Sequence, residues 1–226
     1  MELQSVVPWG RSFSEYQQMF LLSELDLSKK ILGCGDGPAS FNIEATELGS
    51  DVVSIDPIYQ FSAEQILSRI EDVYPQILEQ VLKNENDYIW ESISSPEELG
   101  RVRMASMRTF ISDYTKHESS KRYVNASLPT LPFSDSEFDL ALCSHYLFLY
   151  SDQVNQDQHI LSVKELCRVA KEVRFYPLLS IRNNKESQYL VPVMNALEAV
   201  DINATLVSVD YEFQKGATKM LVAKSV

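Results

Sequence analysis

The chain has 226 residues, of which 45% are hydrophobic, so it can fold around a sizeable core. Its net charge of -12 argues against nucleic acid or an anionic membrane as a partner, because both require a basic surface. Three widely spaced cysteines indicate neither a disulfide framework nor a zinc site, and no basic region followed by an apolar stretch marks a leader. We therefore expect a soluble cytoplasmic protein; its oligomeric state is left open.

Residues 1–28 precede the first predicted strand and are expected to form an N-terminal helical cap. Ser14 is the expected N-cap of its helix, because apolar residues follow at helical spacing. Arg11 lies just before this helix. An arginine is the side chain best able to bind a carboxylate through two parallel hydrogen bonds, so Arg11 is a candidate ligand contact.

A glycine-rich turn follows the first strand, which is predicted over residues 29–33. Gly33, Gly35 and Gly37 stand at alternate positions, and a helix is predicted over residues 38–48. Such a strand–turn–helix unit brings bare backbone close to a ligand. The second strand, residues 51–56, ends at Asp56, whose carboxylate can accept both hydroxyls of a ribose. Together they predict a nucleotide-like ligand.

Residues 62–120 are predicted to form a helical insertion. Helical spacing indicates one helix over residues 62–84, which Pro75 kinks or splits, and another over residues 95–114. A simple crossover needs only about a dozen residues, so the surplus either covers a pocket or is a structural embellishment. We expect its basic residues on the solvent-facing surface of the second helix: Arg101, Arg103 and Arg108.

The remaining chain alternates strands and helices and ends in an antiparallel hairpin. The run Phe138–Ser144 is continuously apolar, which is typical of a strand covered on both faces. The sequence predicts a single α/β domain over residues 1–226. Its architecture is a Rossmann-like three-layer sandwich with a seven-stranded, mostly parallel sheet. The other strands are predicted at residues 121–125, 173–179, 204–213 and 219–224.

The stretch Leu131–Asp139 reads Leu-Pro-Phe-Ser-Asp-Ser-Glu-Phe-Asp. With the glycine turn, Asp56 and the closing hairpin, it resembles the class I S-adenosylmethionine-dependent methyltransferases. The resemblance covers roughly residues 29–60 and 121–226. It implies that Asp56 binds the ribose of S-adenosylmethionine, that Pro57 packs near the adenine, and that Asn125 or Ser127 meets the adenine amine.

The chain departs from the family pattern at Gly33. This glycine stands where the family has an acidic residue that binds the cofactor's ammonium group, and in that pattern Asp36 points elsewhere. We therefore predict that backbone carbonyls near Gly33 meet the ammonium group. Arg11 is predicted to meet the cofactor's carboxylate.

The resemblance implies methyl transfer to a small-molecule acceptor, next to the end of the fourth strand. His145 is the candidate base because histidine titrates near neutrality; alternatively, it is hydrogen-bonded into the loop. Ser144 and Tyr146 are expected beside the cofactor and the acceptor, and no metal site is predicted.

Two other functions remain open. A nicotinamide-dependent oxidoreductase fits the glycine turn loosely, with Ser40 in the third place, and a catalytically silent partner protein fits the departures from the pattern.

Overall fold

A seven-stranded sheet forms the centre of the protein in a computed structural model, which describes residues 7–118 and 120–225. The strand order is β3-β2-β1-β4-β5-β7-β6. The strands are β1 (Lys30–Cys34), β2 (Asp51–Ile55), β3 (Tyr123–Val124), β4 (Phe138–Ser144), β5 (Ala170–Tyr176), β6 (Ile202–Ser208) and β7 (Lys219–Ser225).

Helices cover both faces of the sheet. Pro75 lies inside one continuous helix, α4, so the predicted split at this residue does not occur. The helices are α1 (Phe13–Phe20), α2 (Glu24–Leu27), α3 (Phe41–Glu47), α4 (Ala63–Lys83), α5 (Pro96–His117), α6 (Gln156–Val169) and α7 (Leu190–Glu198).

The sheet confirms the predicted fold class. Strands β1 to β5 pair in parallel, whereas β7 pairs antiparallel with both β5 and β6. Gly33 pairs with Leu142 across β1 and β4, and the residues of β4 from Leu140 to Ser144 are all buried. This burial explains the continuous apolar run, because helices cover both faces of the central strands. The division into cap and insertion stays a prediction.

The first helix begins two residues earlier than predicted. Ser12, not Ser14, is its N-cap, because Ser12 and Glu15 exchange side-chain-to-backbone hydrogen bonds in a capping box. The backbone N–H of Ser40 donates to the carbonyl of Arg11 at 3.0 Å. A Cβ at Gly10 would lie 2.1 Å from the carbonyl oxygen of Pro38. The N-terminal segment therefore packs directly against the glycine turn.

The closing hairpin has a longer connection than predicted. Strand β6 ends at Ser208, and the chain leaves the sheet before Tyr211 and Phe213. The carbonyl of Phe213 accepts from the N–H of Ile89 at 2.8 Å, which ties this connection to the loop after α4. The two segments together wall one side of the cavity described next. Within the described part of the chain, no helix is long and apolar enough to cross a membrane.

Candidate active site

A cavity of about 370 Å³ opens at the carboxyl ends of the parallel strands. Ligands of such sheets bind at this edge, and the volume lies within the range of small-molecule pockets. The N-terminal segment, α4, α5 and the β6–β7 connection close over it. Its wall contains most of the residues predicted for the site: Arg11, Gly35, Gly37, Asp56, Pro57, Ser127, Ser144, His145 and Tyr146. Gly33 and Asn125 do not line it.

The glycine turn needs glycine for two physical reasons. Gly35 and Gly37 have φ values of 68° and 54°, in the left-handed region that side chains disfavour. A Cβ at Gly35 would also lie 3.0 Å from the Cβ of Tyr146. The turn therefore presents bare backbone to the cavity, and Tyr146 packs against it.

Asp56 connects the ends of β1 and β2. Its Oδ2 accepts from the N–H of Gly37 at 3.0 Å, and its Oδ1 accepts from the N–H of Ile58 at 2.9 Å. Burial raises the pKa of Asp56 to about 6, although these two hydrogen bonds favour the ionised form. Each carboxylate oxygen keeps a lone pair for a ligand hydroxyl.

The carboxyl group of Asp36 fills the space beside Gly33, so the expectation that Asp36 points elsewhere is wrong. A Cβ built on Gly33 would lie 1.8 Å from Oδ2 of Asp36. The hydroxyls of Tyr16 and Ser54 donate to Asp36 at 2.8 Å and 2.5 Å and hold it there. Because Gly33 has no side chain, the carboxyl group three residues later occupies the position that an acidic residue at 33 would take.

Burial, together with the charge of Asp56, raises the pKa of Asp36 to about 7, and hydrogen bonds from Ser54 and Tyr16 act in the opposite direction. Among the described residues, no lysine or arginine pairs with Asp36 or Asp56. The cavity therefore holds the buried carboxyl group of Asp36 and the half-buried carboxyl group of Asp56, and neither has a cationic partner among the described residues. Such a site favours a ligand that carries positive charge.

The raised pKa of Asp36 predicts a pH-dependent loss of stability in the ligand-free protein. Between about pH 4 and pH 7 the folded chain binds a proton here that the unfolded chain releases, so stability falls as pH rises through that window. Asp36→Asn should remove this loss and raise the free energy of unfolding at pH 8 by ~1 kcal/mol or more. Urea unfolding at pH 5 and pH 8 measures the free energy of unfolding of both proteins. If it depends on pH identically in the variant and the wild type, Asp36 is not the group responsible.

His145 follows the last residue of β4 with a φ of 52°, a left-handed conformation that is uncommon outside glycine. Its backbone N–H donates to the carbonyl of Tyr176 at 2.8 Å, and its ring Nδ1 lies 2.9 Å from Oγ of Ser144. Burial, followed by the charges of Arg11 and Arg103, holds the pKa of His145 well below its usual value. Contrary to the expectation from the sequence, His145 therefore does not titrate near neutrality; its imidazole is neutral at physiological pH. It is both hydrogen-bonded into the loop and part of the cavity wall.

Arg103 is fully buried, so its predicted place on the helix surface is wrong. It pairs with Glu15 of α1, and the hydroxyl of Tyr211 donates to the other oxygen of Glu15 at 3.0 Å. The spacing of Arg103 in the sequence could have indicated this burial. Arg103 lies four residues from both Leu99 and Met107, so it falls on the apolar stripe of α5. Arg101, two residues earlier, has a side chain that is 73% exposed.

No protein-family model matches the chain. The chain is 33% identical to uncharacterized protein MJ0045 of Methanocaldococcus jannaschii, over 99% of this chain and 98% of that protein. It also superimposes on an S-adenosylmethionine-dependent methyltransferase from Clostridium acetobutylicum with a TM-score of 0.51 and 9% identity, covering 94% of this chain and 92% of that one.

The chain also superimposes on a second solved structure, that of magnesium protoporphyrin IX methyltransferase from Synechocystis, crystallised with bound SAH. Its TM-score is 0.50 at 10% identity, covering 94% of this chain and 84% of that one. These likenesses establish the fold, and the alignment with MJ0045 establishes the family. The chain has the fold of the class I S-adenosylmethionine-dependent methyltransferases and belongs to the same family as MJ0045 of Methanocaldococcus jannaschii.

Proposed function

We propose that the protein transfers a methyl group from S-adenosylmethionine to a small-molecule acceptor. One observation carries the proposal: the buried Asp36 and the half-buried Asp56 lie at the ends of neighbouring strands without a cationic partner among the described residues. S-adenosylmethionine carries a ribose, an ammonium group and a sulfonium. Two unpaired carboxyl groups suit this ligand better than a dinucleotide, whose pyrophosphate would bring negative charge to the same turn.

Asp56 and its neighbours would hold the nucleoside. Asp56 would accept the two ribose hydroxyls, and Pro57 would pack near the adenine. Of the two candidates for the adenine amine, Ser127 has the better support, because it lines the cavity and Asn125 does not.

Asp36 would bind the ammonium group in place of the acidic residue absent at Gly33. Its position over Gly33 supports this role, and so does the absence of another cation for it among the described residues. This assignment replaces the backbone carbonyls expected from the sequence. A charge-assisted hydrogen bond from an ammonium to a carboxylate is also roughly twice as strong as one between neutral groups.

The bound cofactor would supply an activated methyl group, so the chain mainly has to align an acceptor with it. When the acceptor atom bonds to the methyl carbon, the carbon–sulfur bond breaks and its electron pair stays on sulfur. The acceptor's proton would go to His145, whose neutral ring faces the cavity. If Nδ1 of His145 carries its proton toward Ser144, then Nε2 has a free lone pair for this transfer.

The test is a screen for SAH formation when the protein and S-adenosylmethionine are mixed with fractionated metabolite extracts. We expect at least one fraction to be methylated. With that fraction, His145→Gln should slow transfer by about 10²- to 10⁴-fold, the usual contribution of a general base, and leave SAH affinity unchanged. His117→Gln is the matched control because His117 lies on α5 and does not line the cavity.

Three outcomes would count against parts of the proposal. Full activity in His145→Gln would remove the base assignment and leave the methyl transfer standing. SAH binding without turnover in any extract would favour a silent partner protein. Binding of NADH, without binding of SAH or S-adenosylmethionine, would favour the oxidoreductase.

A further inference from the structure

Two guanidinium groups lie in the wall of the cavity with donors that have no partner. Arg11 donates through Nη1 to the carbonyl of Trp9 at 3.2 Å, but its buried Nε makes no hydrogen bond. Arg103 donates through Nη1 to Glu15, whereas its buried Nε and Nη2 meet no acceptor with suitable geometry. These nitrogens are the buried side-chain polar atoms without partners in the described part of the chain. Buried donors of this kind are costly unless something binds them.

The surrounding charges leave one positive charge unmatched. Glu15 is the acidic side chain that pairs with Arg103, and the other titratable groups that act on the two arginines, Tyr16 and Tyr211, are neutral, as is His145. Burial, followed by the charge of Arg103, lowers the pKa of Arg11 to about 10. One added negative charge would neutralise the cluster of Arg11, Arg103 and Glu15.

We propose that Arg11 and Arg103 together form a buried carboxylate-binding site. A carboxylate carries a single negative charge, which would balance the excess positive charge of the two arginines. Its two oxygens lie in a plane and can accept from the free guanidinium donors. A phosphate would bring up to two charges next to Glu15 and is a poorer match. Glu15 and Tyr211 would be positioning residues that hold Arg103 in the wall.

This inference rests on the proposed function for the source of the carboxylate. The amino-acid end of the cofactor is one source, as the sequence predicted for Arg11. An acidic acceptor is the other source, since the neighbouring wall is aromatic and would suit the body of a small organic acid. The aromatic residues of that wall are Tyr88, Tyr150, Tyr176 and Phe213.

The test compares Arg11→Gln and the double variant Arg103→Gln/Glu15→Gln with the wild type. The double change avoids leaving the carboxylate of Glu15 buried and unpaired. Arg101→Gln is the control because Arg101 is an exposed arginine on the same helix. Thermal unfolding first establishes that each variant folds. Calorimetry then measures three probes: SAH, 5′-methylthioadenosine, which lacks the amino-acid end, and benzoate, added to the protein with and without SAH.

If the cofactor supplies the carboxylate, SAH should bind about 10- to 100-fold more weakly to the folded variants, with 5′-methylthioadenosine unchanged. If an acceptor supplies it, both nucleosides should bind as in wild type, and benzoate should bind the wild type and lose its affinity in the variants. The proposal is overturned if folded variants match the wild type with all three probes. A wild type that binds neither nucleoside contradicts the proposed function, while benzoate binding to the ligand-free protein still decides whether the carboxylate site exists.

Discussion

Asp56→Ala is expected to abolish measurable binding of S-adenosylmethionine and SAH. The substitution removes the acceptors for both ribose hydroxyls and leaves the N–H groups of Gly37 and Ile58 without their partner. Hydrogen bonds to a charged group contribute ~1.5–3 kcal/mol each, so losing two should weaken binding by roughly 10²- to 10⁴-fold. Isothermal calorimetry with SAH measures the loss.

A local change of the turn must be separated from the loss of the ligand contact. Asp56→Asn keeps one acceptor and the shape of the side chain, so it should retain the fold and lose part of the affinity. Asp135→Ala is the control because the side chain of Asp135 is 81% exposed and does not line the cavity. Wild-type affinity for SAH in both folded Asp56 variants would rule out the ribose assignment.

Exchanging residues 33 and 36 tests whether Asp36 has taken over the role of the absent acid. Asp36→Gly should weaken SAH binding by about 10- to 100-fold, because the ammonium group loses its carboxylate. Gly33→Asp alone should destabilise the protein, since the new Cβ would lie 1.8 Å from Oδ2 of Asp36. The double variant Gly33→Asp/Asp36→Gly removes this clash and should recover most of the SAH affinity.

The recovery in the double variant is the decisive comparison. Thermal unfolding reports the predicted clash in Gly33→Asp, and calorimetry with SAH reports the affinity of each variant. If Asp36→Gly binds SAH as tightly as the wild type, Asp36 does not meet the ammonium group. If the double variant folds but binds no better than Asp36→Gly, positions 33 and 36 are not interchangeable.

The sequence predicted the features that depend on local pattern. The run Phe138–Ser144 is a strand with the predicted bounds, because a continuous apolar segment of this length fits a strand covered on both faces. Asp56 and the glycine turn meet at one edge of the sheet, because parallel strands place their carboxyl ends together. The predicted hairpin forms, since its two runs have the alternation and spacing of paired strands.

Long-range contacts decided what the sequence could not predict. Arginine is typical of a helix surface, but Arg103 lies on the apolar stripe, where it pairs with Glu15, a residue 88 positions away. Asp36 turns toward Gly33 because Tyr16 and Ser54 hold it, and neither contact is visible in the spacing of the turn. The β6–β7 connection leaves the sheet because it pairs with the loop after α4. In each case tertiary contacts overrode the local pattern.

The most direct test of the account is a calorimetric titration of the wild-type protein with SAH and, separately, with NADH. The carboxyl groups of Asp36 and Asp56 predict saturable binding of SAH to one site per chain and no binding of NADH. Binding of NADH together with no binding of SAH or S-adenosylmethionine would contradict the account.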